Sequence, residues 1–242
     1  MVAVRGARYA RAMPAPLSVV IPTLQAEAGL ARTLAGLARA NEGGLLQEVV
    51  VSDGGSTDAT CAIADEAGCH VVTGPPGRGG QLARGADAAR GAWLLFLHAD
   101  TVLEEGWTEE ASAFIRRDAG AGAFRHAFAG AGLAGRAVSA GANLRTRLFR
   151  MPFGDQGLLV SKVRYARSGG YDDLALFEDW ALVRRLVNDG GRRAVRPMRA
   201  RAYTSPERYV REGYARRVWR NQRLVAGYLA GVPPARLAAI YA

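Results

Sequence analysis

Lysine is almost missing from this chain of 242 residues: Lys162 is the only one, so the formal net charge of +10 rests on arginine. The excess is local, because Arg184 to Arg223 holds 13 arginines against Asp189, Glu207 and Glu212 and by itself accounts for the whole of it. That argues against a surface coated in charge for nucleic acid, and no nucleic-acid partner is expected; one basic surface that meets phosphates or acidic lipid fits the pattern. Cysteine is scarce too. Cys61 and Cys69 are too close and too alone for a disulfide framework or a metal site, so both are expected as reduced, buried residues. No apolar run approaches the roughly 18 to 20 residues that cross a bilayer. The first fifteen residues carry Arg5, Arg8 and Arg11 without the continuous apolar stretch of a secretory signal, so 1–15 is expected as a loose arm. Repeats and low-complexity linkers are missing as well, which leaves no firm domain boundary.

What is present is an alternation of strands and helices. LSVVIP (Leu17 to Pro22) reads as a buried strand ended by proline, followed by a helix with Leu30, Leu34 and Leu37 on one face. EVVVSD (Glu48 to Asp53) is a second strand, Thr57 to Ala67 a helix capped by Ser56, and HVVTG (His70 to Gly74) a third strand. After the loop PPGRGG come a helix from about Gln81 to Arg90 and a fourth, apolar strand, AWLLFLHAD (Ala92 to Asp100). With 49% hydrophobic residues the chain can bury a large core. The alternation implies an α/β protein with a mostly parallel sheet and helices on both faces. Ligands of such sheets bind beyond the carboxyl ends of the strands, where Pro22, Asp53, Gly74 and Asp100 fall. Further on, Gly122 to Gly130 and Gly157 to Lys162 read as strands, and Leu133 to Phe149 and Leu176 to Gly191 as helices, the last closed by glycine. Pro206 to Tyr228 reads as one basic amphipathic helix with Tyr214, Val218, Val225 and Tyr228 toward one face.

Several of these places can carry chemistry. SDGGSTDAT (Ser52 to Thr60) leaves a strand and opens a helix, so free backbone N–H groups and the helix dipole lie beside Asp53. That suits a nucleotide, and it equally suits an ordinary turn. On a strand, His98 and Asp100 face the same way. With a substrate diphosphate they would suit Mg²⁺ or Mn²⁺; the alternative is a satisfied structural histidine and a turn-capping aspartate. Glu178 and Asp179 open a helix, where acids complement the dipole whatever else they do. Asp155 and Gln156 in FGDQGLLV (Phe153 to Val160) either line a pocket or stabilise a loop, and the same alternatives hold for Arg125 and His126.

Taken together, these motifs resemble family 2 glycosyltransferases of the GT-A fold over about Leu17 to Leu186. LSVVIPTLQAE is similar to that family's first strand and proline turn, SDGGSTDAT to its DGSSTDGT-type motif, and GRGGQLARGADAARGAWLLFLHADT (Gly77 to Thr101) to the stretch ending in its DAD sequence. GGYDDLALFEDWALVRRL (Gly169 to Leu186) looks like the segment that carries its catalytic carboxylate. The resemblance implies a nucleotide-sugar donor among Pro22, Thr23, Asp53, Gly54, Arg78, Arg84 and Ala99, with Asp53 on the base. It implies Mn²⁺ or Mg²⁺ at Asp100 with His98, and Asp179 as the general base with Glu178 beside it. Asp155, Gln156 and Trp180 are candidates for the acceptor side. The implied reaction moves a sugar to an acceptor hydroxyl with inversion. His98 replaces the first aspartate of DAD, and no QxxRW motif follows, which points to single transfers rather than processive synthesis. HAD and FGDQGLLV look closest to a small bacterial transferase-like group.

The organisation expected is a loose arm over 1–15, one GT-A catalytic domain over 16–204, and a basic helical segment over 205–242. The nucleotide-binding half spans about 16–105 and the acceptor half about 106–204. A UDP-sugar is the default donor. The acceptor is unidentified, with lipid-linked or anionic compounds as options. The expected location is cytoplasmic, and peripheral membrane contact through 206–228 is an option. Two rivals stand beside this reading. A nucleotidyltransferase would need a glycine-rich loop after the first strand, where IPTLQAEAG stands instead; a non-catalytic nucleotide-sugar-binding protein is kept open by His98.

Overall fold

The computed structural model describes residues 16–241, and the arm expected over 1–15 lies outside the described residues. Strands β1 (Leu17–Thr23), β2 (Leu46–Asp53), β3 (His70–Thr73) and β4 (Trp93–Phe96) alternate with helices α1 (Glu27–Ala40), α2 (Thr60–Glu66) and α3 (Arg78–Ala88). They are followed by β5 (Val102–Leu103), α4 (Trp107–Arg116), β6 (Ala121–Phe128), α5 (Leu133–Phe149), β7 (Leu158–Ser161), α6 (Lys162–Arg167), α7 (Glu178–Gly190) and β8 (Val195–Thr204). Three helices, α8 (Glu207–Glu212), α9 (Tyr214–Leu229) and α10 (Pro234–Tyr241), complete the order. One eight-stranded sheet runs β3-β2-β1-β4-β7-β6-β8-β5.

The expected parallel arrangement holds from β3 to β4 and again between β6 and β8, whereas β7 runs antiparallel to both neighbours and β5 antiparallel to β8. β1 is covered on both faces, and strand periodicity divides its apolar residues between them. Leu17, Val19 and Ile21 join Leu95, Leu97 and the α1 leucines on one side, while Val20 joins Leu94, Leu82 and Leu186 on the other. β1 thus divides the core into two layers, and Thr23 and Asp53, paired in register at the ends of β1 and β2, emerge at the carboxyl edge.

Several boundaries differ from those expected. β4 ends at Phe96, so His98 and Asp100 lie in the turn beyond it and strand alternation does not govern them. α2 begins at Thr60, and Ser56 does not cap it; the Ser56 hydroxyl donates to Asp53 instead. α3 begins at Arg78 rather than Gln81. The single helix expected over 206–228 is broken at Gly213 (φ 84°) into α8 and α9. Part of its apolar face meets protein: Leu224 is buried with Phe177, Trp180 and Leu237, and Val225 and Tyr228 pack against that cluster. Cys61 and Cys69 are unpaired and only partly buried. Among the described residues no helix is long and apolar enough to cross a membrane.

Candidate active site

The residues expected to meet a donor sit on loops at the sheet's carboxyl edge. Asp53 is 1% exposed, and its carboxylate accepts four hydrogen bonds from the chain itself: Oδ1 from the Thr23 and Ser56 hydroxyls, Oδ2 from the Gly55 and Ser56 N–H groups. Burial works to raise its pKa, yet these donors hold the carboxyl below the ordinary aspartate range. Asp53 therefore stays ionised and fixes the shape of the Gly54–Ser56 turn. Gln81, not singled out from sequence, ties three loops together. Its amide donates to Thr23 O and Ser52 O, and its oxygen accepts from the Gly77 N–H. Gly54 packs against Gln81, and Pro22 stands half-buried beside Ser52. Arg84 donates to Asp53 O and Pro75 O, holding the same loops from the α3 side. Ala99 O accepts from the Thr33 hydroxyl, which anchors the turn after β4 to α1.

The second half of the site gathers at the start of α7. Phe177, at φ 67°, bends the chain so that Glu178 and Asp179 form the first turn, both turned inward at 0% and 7% exposure. Arg78 reaches across from α3, its Nε on Glu178 Oε1 and its Nη2 3.5 Å from Asp179 Oδ2. This approach needs Gly79, because a Cβ there would lie 2.1 Å from Asp172 O. Arg78, expected at the nucleotide, is therefore engaged with the carboxylates.

Asp179 Oδ2 accepts from the Gly154 N–H at 3.0 Å, and the nearby Tyr171 hydroxyl favours the charged form of this carboxylate. Burial raises the pKa of Asp179 and of Glu178, the neighbouring charge of Asp155 or Asp179 adds to it, and Arg78 opposes it. Tyr171 is pushed well above the ordinary tyrosine range, first by burial and then by these carboxylates, so it remains a donor.

His98 comes to the same place. Its Nε2 is sealed from solvent without a partner among the described residues, and it shares with Asp179 Oδ2 the space against Gly154 that a Cβ would occupy. Burial, followed by the Arg78 charge, lowers the His98 pKa and keeps the imidazole neutral. Asp100 is exposed just beyond it. The structure thus brings His98, Arg78, Glu178 and Asp179 together, with Asp100 near enough for its charge to act on His98 and with Tyr171 and Gly154 as members that sequence reasoning missed.

Of the acceptor-side candidates, Asp155 belongs to this cluster. Its Oδ2 lies 3.5 Å from His126 Nε2, while its Oδ1 has no partner among the described residues. His126 is buried against Ser139 Oγ at 3.0 Å, and Arg125 is exposed on β6. Gln156 takes the structural one of its two readings: it is 1% exposed and its amide is spent on Phe124 O, the Thr146 hydroxyl, Arg145 and the Phe153 N–H, so it staples β6 to α5. Gln156→Ala is accordingly expected to lower stability by about 1–3 kcal/mol through the buried groups it strands, read as a fall in Tm. Trp180 is likewise buried, between Phe153 and Tyr228, in the aromatic cluster that joins α7 to α9.

Residues 18–168 match the family model described as Glycosyl transferase family 2. Over 112 residues the chain is 40% identical to PGL/p-HBAD biosynthesis glycosyltransferases of Mycobacterium tuberculosis and Mycobacterium bovis, a region covering 43% of this chain and 43% of theirs. The chain thus matches less than half the length of these curated relatives. Among solved structures it resembles Mycobacterium tuberculosis glucosyl-3-phosphoglycerate synthase in complex with Mn²⁺, UDP and glucosyl-3-phosphoglycerate. The TM-score is 0.63 at 18% identity, covering 90% of this chain and 80% of that one. It also resembles S. aureus TarS 1-349 in complex with UDP-GlcNAc (TM-score 0.60, 17% identity, 78% and 58% coverage). These likenesses show a common architecture, that of the GT-A glycosyltransferases.

Proposed function

Because the chain belongs to glycosyl transferase family 2, we propose that it moves a sugar from a nucleotide-diphosphate sugar to an acceptor hydroxyl, with Asp179 as the general base. The observation that carries this reading is Asp179 itself: a buried carboxylate whose pKa is raised, held by a backbone N–H and a guanidinium, with a tyrosine hydroxyl nearby, beside the loops of the donor edge. A base with raised pKa accepts a proton from an attacking hydroxyl more readily, and a single displacement assisted by one base inverts the anomeric carbon. Glu178 holds Arg78, and the Arg78 charge works against the rise in pKa that burial imposes on the pair.

The donor lies along Pro22, Thr23, the turn shaped by Asp53, Gly54, Arg84 and Ala99; UDP as its nucleotide is supported by the neighbours solved with UDP and UDP-GlcNAc. No group of three metal-ligating side chains occurs among the described residues. Asp100 and the unpartnered Nε2 of neutral His98 fit an ion whose shell the donor diphosphate completes, and they are the residues that would hold Mn²⁺ or Mg²⁺. Such an ion would neutralise charge developing on the departing diphosphate. Asp155 faces the acceptor. Residues 16–204 act as one catalytic unit that α8–α10 cover.

A panel of UDP- and GDP-sugars with and without Mn²⁺ tests this. A UDP-sugar with Mn²⁺ is expected to raise Tm, by the equivalent of about 2.7 kcal/mol at a hundredfold excess over Kd, and to release UDP when an acceptor hydroxyl is supplied. A Tm shift without UDP release to any acceptor would return the protein to the non-catalytic binding reading, absence of any shift would remove the donor site, and pyrophosphate release from a nucleoside triphosphate would make it a nucleotidyltransferase.

A further inference from the structure

From Ala119 to Gly154 the chain contains no aspartate or glutamate, and α5 lies wholly inside that stretch. The inner side of α5 is small and closes on the fold through Gly135, Ser139 and Thr146. Its outer side is apolar and open, with Leu133 85%, Leu144 55% and Leu148 48% exposed, and Phe149, the last residue of the helix, is 64% exposed beside it. Leu133, Ala137, Leu144 and Leu148 recur at helical spacing and form one stripe. Three of the four large side chains sit in the last two turns. At that end lies a cavity of about 470 Å³ lined by Arg150, Arg192, Arg193, Val195, Arg196 and Pro197. None of these four arginines has a carboxylate partner among the described residues. Arg192 donates to Leu148 O, so the arginine cluster and the apolar stripe form one continuous surface.

We propose that α5 is a docking helix that lies in the headgroup region of an anionic phospholipid bilayer. Four guanidinium groups without counter-charge repel one another and favour an anionic ligand. A soluble phosphate would satisfy them but leave the leucines and Phe149 in water. A second copy of the chain would cover the leucines, but a two-fold contact would set one arginine cluster close to another. An acidic bilayer answers both features, with lipid phosphates on the arginines and the acyl boundary against Leu144, Leu148 and Phe149. Arg136 and Arg147, also exposed, flank the stripe where headgroups would lie. Arg150 precedes Gly154 by four residues, at most about 14 Å of extended chain, so docking brings the acceptor side of the site toward the bilayer. That last consequence rests on the proposed function; the docking does not.

The test is co-sedimentation of the whole protein with phosphatidylcholine vesicles, with and without phosphatidylglycerol, at low salt. Binding is expected to be at least about tenfold stronger with phosphatidylglycerol and to fall at high salt as the charges are screened. Leu144→Ser/Leu148→Ser and Arg192→Glu/Arg193→Glu should each weaken it about tenfold or more with Tm and far-UV spectrum unchanged, since these side chains are exposed. Trp219→Ser, on the outer side of α9, should bind as wild type. The proposal is overturned if wild type ignores anionic vesicles, if neutral vesicles bind equally, if the folded α5 variants still bind, or if Trp219→Ser alone abolishes binding. A vesicle-independent dimer that Leu144→Ser/Leu148→Ser dissolves would overturn it in favour of self-association. Transfer to a water-soluble acceptor should be the same in the α5 variants, which separates failure of docking from failure of the enzymatic reading.

Discussion

Asp179→Asn is expected to slow sugar transfer by about 10²- to 10⁴-fold, the range a positioned general base contributes, with donor affinity by calorimetry unchanged. The replacement is nearly isosteric, and the amide oxygen can still accept from the Gly154 N–H, so basicity is what is lost. Burial, with the Asp155 charge adding to it, outweighs Arg78, the Gly154 N–H and the Tyr171 hydroxyl in setting the Asp179 pKa. The wild-type rate should therefore decline with acid at a pH above the ordinary carboxylate range, and the variant should lose that limb. Stability follows the opposite sense. A carboxyl whose folded pKa lies above its ordinary value of 3.8 binds more protons folded than unfolded between those two values. Its contribution to stability consequently falls as pH rises through that window and stays at its lowest above the folded pKa. The amide of the variant does not titrate, so the Tm of Asp179→Asn relative to wild type should climb with pH over the same window. A variant that kept wild-type turnover would remove Asp179 from the mechanism.

The carboxyl edge of the sheet, where the donor is proposed to lie, was largely legible in sequence because its strands are local patterns. Apolar runs marked β1, β2 and β4, and parallel pairing put Asp53 at a strand end beside Thr23. The failures have specific physical origins. β4 stops at Phe96 because the chain turns, with the Thr101 N–H reaching His98 O, and so His98 is drawn inward while Asp100 faces water. α2 starts late because the Ser56 hydroxyl oxygen, which a helix cap would use as an acceptor, takes the Gln25 N–H, while its O–H and N–H go to Asp53. β8 was missed although its buried and exposed residues nearly alternate; its arginines and Pro197 masked the period-2 signal. Gln81, Tyr171 and Gly154 owe their roles to partners far away in sequence, which no local pattern encodes. The amphipathic face of 214–228 was legible, but what it packs against was not: much of it covers the aromatic side of α7.

Gly154→Ala tests whether that long-range packing matters to the reaction. A Cβ at this position would sit 2.5 Å from Asp179 Oδ2 and 2.7 Å from His98 Nε2, both far inside contact distance. Either the Gly154–Gln156 turn moves, carrying Asp155 with it, or the carboxylate and imidazole swing away. Strain of this kind costs about 1–3 kcal/mol of stability. The effect on rate should be larger in proportion, because a base displaced by about 1 Å can lose about 10²-fold in kcat. The expected outcome is thus a folded protein with slightly lowered Tm and kcat reduced about a hundredfold. A cycle with Asp179→Asn isolates the cause. If the methyl acts by displacing the base, adding it to the asparagine variant should cost almost no further rate, since no base remains to be displaced. Additive losses would mean that Gly154 serves the reaction through His98 or Asp155 instead. Equal kcat for Gly154→Ala and wild type would show that the turn gives way without disturbing Asp179, and that the close packing of Gly154, His98 and Asp179 is not required for transfer.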